Sequence, residues 1–140
     1  MRESHKASIY CIPPRSTHQA ALQVFKTAGR HFIGRSKKGR QVDKELQALL
    51  RPCAPPTPYE VPLHLCVRWV YPYLKSEPKK NRSRPIPCGK RPDADNLIKG
   101  LLDAMGKAGW FKDDGLVYRL DFQKLYAEKS GIFLEAYPVG

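Results

Sequence analysis

The chain has 140 residues, a length that suits one domain with a single modest core. Hydrophobic residues make up 41% of it and charged residues 27%, which excludes the apolar depletion typical of disordered chains. The 25 Lys and Arg residues against 13 Asp and Glu residues leave a formal net charge of +12, which indicates a polyanionic partner, with nucleic acid as the first candidate.

The sequence predicts an intracellular, cytoplasmic protein without a membrane partner. No apolar run approaches the ~20 residues that a transmembrane helix needs, and no basic helix carries a bulky apolar face. The start of the chain, Met1 to Lys6, lacks the apolar stretch of a secretory signal. Cysteines occur at positions 11, 53, 66 and 88 without the Cys-x-x-Cys spacing of a zinc site, so we expect free thiols.

The first half of the chain predicts one strand and one helix. Residues 7–12 are typical of a short strand, which ends at Pro13 because proline cannot continue a hydrogen-bonded ladder. The basic stretch 30–44, with Gly34 and Gly39 as turn signals, fits either a solvated hairpin or a phosphate-contacting arm. Apolar residues then recur at helical spacing over residues 42–50, before a proline-rich connector.

A strand and a basic loop are predicted next. Residues 63–69 alternate apolar and polar side chains, which indicates a strand with one face in the core and His64 as a surface or rim residue. Residues 75–91 hold seven basic residues, three prolines and no apolar periodicity, which predicts a mobile basic loop. This loop fits a solvated linker or a flexible clamp on a DNA backbone. The total charge favours the clamp, whose DNA contacts would be Lys79, Lys80, Arg82 and Arg84.

Two further strands, over residues 116–123 and 132–136, are predicted to form a hairpin. The resulting order is strand, helix, strand, helix, strand, strand. This order predicts an α+β domain with its helices packed against one sheet.

The second predicted helix carries the candidate chemistry. The apolar side chains of residues 97–105 lie on one arc of a helix. The opposite arc, which begins two residues earlier, is polar and consists of Asp95, Asn96, Lys99 and Asp103. Mg²⁺ prefers hard oxygen ligands and is commonly bound by one or two carboxylates, which Asp93 and Asp95 could supply. A third carboxylate, Asp114, would have to fold back beside the helix start. Lys99 lies one turn beyond Asp95 and could contact a scissile phosphate.

Each of these residues also has a simpler explanation. Asp93 or Asp95 could cap the helix, and Lys99 could be an ordinary i,i+4 partner of Asp95 and Asp103. Asp113-Asp114-Gly115 could be no more than a turn. The spacing alone leaves both interpretations open.

The sequence from Pro92 to Asp114 resembles the signature of the RusA family of Holliday-junction resolvases. The similar segments are Pro-Asp-Ala-Asp-Asn-Leu-Ile-Lys at 92–99, Leu-Asp-Ala-Met at 102–105 and Asp-Asp at 113–114. Lys124 stands where the family usually has a basic residue in the following strand. The stretch from Pro13 to Gln19 and the proline-rich connector resemble the family more loosely, so the resemblance covers most of the chain.

The resemblance implies a RusA-like domain over residues 1–140, α+β with a mixed sheet packed against helices. It implies a homodimeric endonuclease, dependent on Mg²⁺ with Mn²⁺ as an alternative ion, that binds four-way DNA junctions and makes paired symmetric nicks. Such enzymes often serve recombination and repair in phages or prophages. By motif, Asp93, Asp95 and Asp114 would be the metal-binding catalytic acids and Lys99 the essential lysine. Further roles are implied for Asn96 and Asp103, which would support the site, and for Lys124, which would contact DNA.

Two other functions remain open at this point. A non-catalytic nucleic-acid-binding protein would explain the charge of +12 equally well, but it would not explain three acids and Lys99 in this arrangement. A nuclease for flaps or other branched DNA would share the chemistry and differ only in substrate.

Overall fold

The computed structural model describes residues 3–15, 22–27, 30–35 and 37–140, with side chains described for 3–15 and from residue 39 onward. The described strands and helices are β1 (His5–Tyr10), β2 (Leu22–Thr27), β3 (Arg30–Arg35), α1 (Lys37–Leu50), β4 (Leu63–Pro72), β5 (Ile86–Pro87), α2 (Ala94–Lys107), β6 (Val117–Ala127) and β7 (Gly131–Pro138). Short 3-10 turns cover Arg51–Cys53, Lys79–Asn81 and Asp114–Leu116. Neither of the two α-helices in this described part is long and apolar enough to cross a membrane.

Five strands form one mixed sheet in the order β1-β7-β4-β6-β5. The central strand β4 runs parallel to β6 and antiparallel to β7. Buried side chains from α1 and α2 join those of β4 in one core, and β2 pairs with β3 apart from this sheet. The arrangement confirms the predicted α+β domain with helices packed against a sheet.

The predicted hairpin between the last two strands is wrong, because β4 lies between β6 and β7. Both strands exist, and residues 128–130 connect them past the end of β4. The reason is the burial of β4, where consecutive side chains at Trp69, Val70 and Tyr71 are at most 2% exposed. This end of β4 is covered on both faces, which favours a place at the centre of a sheet with a neighbour on each side.

The basic stretch 30–44 is divided between two elements rather than forming one arm or hairpin. Residues 30–35 pair with residues 22–27, and α1 begins at Lys37, so Gly39 lies inside a helix and not at a turn. The first turns of α1 contain no apolar residue before Val42, so they give no periodic signal. Smaller shifts occur at β1, predicted at 7–12 and observed at His5–Tyr10.

The apolar arc of α2 packs into the core as predicted. Its buried positions are Leu97, Gly100, Leu101, Ala104 and Met105. Beyond the helix, Trp110 is fully buried and donates a hydrogen bond from its indole Nε1 to the carbonyl of Leu50, at 3.1 Å. This bond ties the segment after α2 to the end of α1.

A charged group links the two helices. Lys107 donates from Nζ to Asp43 Oδ2 at 3.0 Å and forms an i,i+4 ion pair with Asp103 at 3.0 Å. Asp43 is only 8% exposed, and the hydrogen bond to it raises the pKa of Lys107 above its ordinary value. Asp103 therefore contributes to the packing of α2 on α1.

Candidate active site

Asp93 begins α2 without using its side chain as a cap. Its backbone is extended, with φ −67° and ψ 141°, and its carbonyl accepts the amide of Leu97 at 3.1 Å. Its carboxylate makes no capping hydrogen bond and lies 3.9 Å from Nη1 of Arg91, which is a loose pair between side chains 50% and 89% exposed. Asp93 therefore holds the helix start through its backbone, which leaves the carboxylate at the surface.

Asp95 and Lys99 lie exposed on successive turns of the same helix. Within the described part of the chain, neither side chain forms an ion pair within 4.0 Å, and the carboxylate of Asp103 is paired with Lys107 instead. The explanation of Lys99 as an ordinary i,i+4 partner is therefore not realised in this structure. Asn96, the next polar residue of the first turn, is half-buried.

Lys124 fixes the segment that leads into Asp93. Its ammonium donates to the carbonyls of Lys90 at 2.5 Å and Pro92 at 2.7 Å, and its own carbonyl accepts the amide of Cys88 at 2.9 Å. We find a positioning role at this lysine, which the sequence did not indicate. The implied contact between Lys124 and DNA stays a prediction.

Asp114 returns to α2 through a hydrogen-bonded segment. After the helix, the amide of Tyr59 donates to the carbonyl of Trp110 and the amide of Lys112 donates to the carbonyl of Tyr59, both at 3.0 Å. The next residues form the 3-10 turn Asp114–Leu116, which contacts α2. The turn that carries Asp114 thus contacts α2, and its placement beside the start of the helix stays a prediction.

The adjacent acids of this turn differ in their contacts. Asp113 caps the turn, because its Oδ1 accepts the amide of Gly115 at 3.0 Å. This bond, followed by contact with the carboxyl group of Asp114, holds the pKa of Asp113 below its ordinary value. Asp114 is exposed and does not cap the turn.

The carboxylates of the three candidate acids remain separated. In the described part of the chain, the group whose ligand atoms all lie within 4.8 Å of one another is His64, Cys66 and Asp121; Asp93, Asp95 and Asp114 do not form such a group. Like charges repel, so three ionised carboxylates stay apart unless a cation or a shared proton lies between them. The shared metal site of these three acids therefore stays a prediction.

The basic segment 75–91 contains more structure than the sequence predicts. Arg82 donates from Nε to the carbonyl of Glu77 at 3.0 Å and from Nη2 to those of Leu74 at 3.1 Å and Lys75 at 3.3 Å. The segment also contains the turn Lys79–Asn81 and strand β5. Arg82 therefore organises the segment, whereas Lys79, Lys80 and Arg84 are exposed. The mobility of the segment stays a prediction.

We expect these exposed side chains to contact DNA phosphates. Replacing Lys79, Lys80 and Arg84 together by Gln should weaken binding to all DNA substrates, because each phosphate contact releases counterions. The slope of log K against log salt concentration should fall by up to about 2.7, at ~0.9 per duplex phosphate contact. Fluorescence anisotropy at several salt concentrations measures this slope.

A matched control replaces three exposed basic residues elsewhere, namely Lys44, Arg51 and Lys112. If the basic segment is a clamp, the control should keep the wild-type slope. Equal slopes in wild type and in the triple variant of the segment would show that it is only a linker.

A second polar group, which the sequence analysis did not identify, lies on β4 and β6. His64, interpreted as a surface or rim residue, contacts Asp121 through Nε2 at 2.5 Å and Cys66 Sγ at 3.4 Å. His64 and Cys66 share one face of β4 by their spacing of two residues, which was a usable signal. Asp121 could not be added, because the parallel pairing of β4 with β6 was not predicted.

The comparison with known proteins identifies one family. No curated protein matches the chain significantly. The sequence model of the family described as endodeoxyribonuclease RusA matches residues 12–136, which includes every candidate acid, Lys99 and the basic segment. The chain therefore belongs to the RusA endodeoxyribonuclease family, whose enzymes hydrolyse DNA phosphodiester bonds and resolve Holliday junctions.

Proposed function

We propose that this enzyme cuts four-way DNA junctions with Mg²⁺ held by Asp93, Asp95 and Asp114. One observation carries the proposal. The carboxylates of Asp93 and Asp95 lie exposed at the start of α2 without capping hydrogen bonds, and the turn that carries Asp114 contacts the same helix. Such uncommitted, hard oxygen ligands fit Mg²⁺, which binds through a few carboxylates and fills its other positions with water and phosphate.

The polar residues around these acids have separate roles in the proposal. Bound Mg²⁺ would stabilise the attacking and leaving oxygens of phosphodiester hydrolysis, with Mn²⁺ as an alternative ion. The ammonium of Lys99, exposed one turn beyond Asp95, contacts the scissile phosphate and stabilises negative charge there. The side chain of Asn96 supports the site from the first turn, and Asp103 supports it by holding α2 on α1 through Lys107.

The phosphate also meets the positive end of α2. The first amides of a helix have no partner within it and attract anions. Lys124 orients this end, because it holds the carbonyls of Lys90 and Pro92 immediately before Asp93. The exposed residues of the basic segment then bind the flanking DNA backbone, and Lys124 contributes a further contact where its ammonium reaches the strand.

Paired nicks require two active sites, so we propose a homodimer. A four-way junction has two-fold symmetry, and a two-fold dimer presents one site to each of two opposite strands. A single subunit would cut one strand at a time and leave singly nicked junctions.

Cleavage of three synthetic substrates tests the proposed function. The wild-type enzyme should nick the four-way junction symmetrically in Mg²⁺, leave it intact in EDTA, and cut a flap and a linear duplex far more slowly. Denaturing gels with each strand labelled in turn measure the sites and rates. Faster cleavage of the flap would instead favour a nuclease for other branched DNA, and cleavage in EDTA would contradict the metal assignment.

A further inference from the structure

The open face of the sheet carries a group of metal-ligating side chains away from the candidate acids. His64 and Cys66 lie two residues apart on β4, and Asp121 lies directly opposite Cys66 on β6. Nε2 of His64, Sγ of Cys66 and a carboxylate oxygen of Asp121 all lie within 4.8 Å of one another. We propose that these three residues form a zinc site, separate from the Mg²⁺ site of the nuclease.

The distances are close to those that a tetrahedral zinc ion needs. Zn–S near 2.3 Å and Zn–N and Zn–O near 2.0–2.2 Å place tetrahedral ligand atoms about 3.4–3.6 Å apart. The observed separations are 3.4 Å from Cys66 Sγ to His64 Nε2 and 3.9 Å from Cys66 Sγ to Asp121 Oδ2. Only the pair of His64 Nε2 and Asp121 Oδ2, at 2.5 Å, must widen, by about 0.9 Å.

The surroundings allow that movement. The side chain of Asp121 is 53% exposed, so its carboxylate can rotate, and Arg119, which approaches Oδ2 at 3.4 Å, can keep the other oxygen. The His64 ring is held against the ring of Tyr137, with 5.5 Å between the ring centroids. Asp121, whose carboxylate must move to bind zinc, is therefore less restrained by its neighbours than His64.

The ligand chemistry favours zinc over magnesium. A thiolate is a soft ligand and an imidazole suits Zn²⁺, whereas Mg²⁺ prefers oxygen. The Cys66 thiolate and the Asp121 carboxylate together balance the charge of a divalent ion. Glu135, paired in register with Cys66 on β7, adds negative charge nearby.

Three protein ligands leave one position of the ion open. A groove of about 700 Å³ passes Cys66, Asp121 and Glu135, so water or a small ligand can reach that position. Zinc sites with three protein ligands and one exchangeable ligand are typical of reactive sites, whereas structural sites use four protein ligands. The open position distinguishes the proposed zinc site from a structural zinc site that would only link β4 to β6.

Titration of the metal-stripped full-length protein with Co²⁺ in excess Mg²⁺ tests the site. Cobalt bound to a thiolate gives a near-ultraviolet charge-transfer band, and we expect one bound Co²⁺ per chain, displaced by Zn²⁺. Cys66→Ser should remove the band. His64→Ala and Asp121→Asn should raise the Kd by more than about tenfold, since loss of even an outer partner of a ligand costs ~10–100-fold.

Two variants serve as controls. Cys53→Ser removes another half-buried free thiol and should keep the band. Asp95→Asn, which removes a proposed Mg²⁺ ligand, should also keep it, so failure of the zinc site and failure of the nuclease site are distinguishable. Absence of the band in the wild-type protein, or its persistence in Cys66→Ser, would overturn the proposal.

Discussion

Replacing Lys99 by Met is expected to slow junction cleavage by on the order of 10²–10³-fold, the loss typical of removing one preorganised electrostatic group. Lys99 is exposed and, among the described residues, is not engaged by Asp95 or Asp103. An ordinary i,i+4 pair would contribute only ~0.3–0.5 kcal/mol to stability and would leave cleavage nearly unchanged. The size of the effect therefore separates a catalytic lysine from a structural one.

Single-turnover cleavage of a saturated junction measures this effect, because saturation removes any binding defect from the rate. Lys44→Met is the matched control, since this lysine is likewise exposed on a helix but lies on α1, outside the motif that carries the candidate acids. The control should cleave at the wild-type rate. If Lys99→Met stayed within about threefold of wild type, well short of the electrostatic effect, Lys99 would have a structural role only.

The elements that could be predicted are those whose pattern is local. The helical spacing of α2 and the alternation along β4 follow from which face each element buries. Strand pairing depends on contacts between distant segments, so the apolar run at residues 69–71 could indicate a central strand but could not identify β6 and β7 as its neighbours. The start of α1 was missed for a related reason, because its first turns carry no apolar stripe.

The residues of the candidate site could also be predicted only in part from the sequence. The sequence could name Asp93, Asp95, Asp114 and Lys99, since the motif combines residue types that are suited to binding a metal and a phosphate. It could not assign the hydrogen bonds of Lys124, because their acceptors lie in a distant segment of the chain. It could not assign those of Arg82 either, because they depend on the path of a loop without a periodic pattern. Arg82, predicted from charge to contact DNA, and Lys124, for which the resemblance implies a DNA contact, therefore also have positioning roles.

Replacing Asp95 by Asn tests whether the carboxylates at the start of α2 hold the catalytic Mg²⁺. An amide keeps the shape of the side chain but removes the negative charge that anchors a divalent ion. If the metal stabilises the transition state of cleavage by several kcal/mol, its loss lowers the cleavage rate by on the order of 10³-fold. Binding of the junction should be unchanged or tighter, because one negative charge near the phosphates is removed.

Single-turnover junction cleavage in Mg²⁺, with binding followed by gel shift, measures both quantities in the same variant. Glu128→Gln provides the control, because this exposed carboxylate lies in the connection between β6 and β7. We expect Asp95→Asn to bind the junction without cutting it measurably, while Glu128→Gln cuts at the wild-type rate. Cleavage by Asp95→Asn at the wild-type rate would contradict the metal assignment.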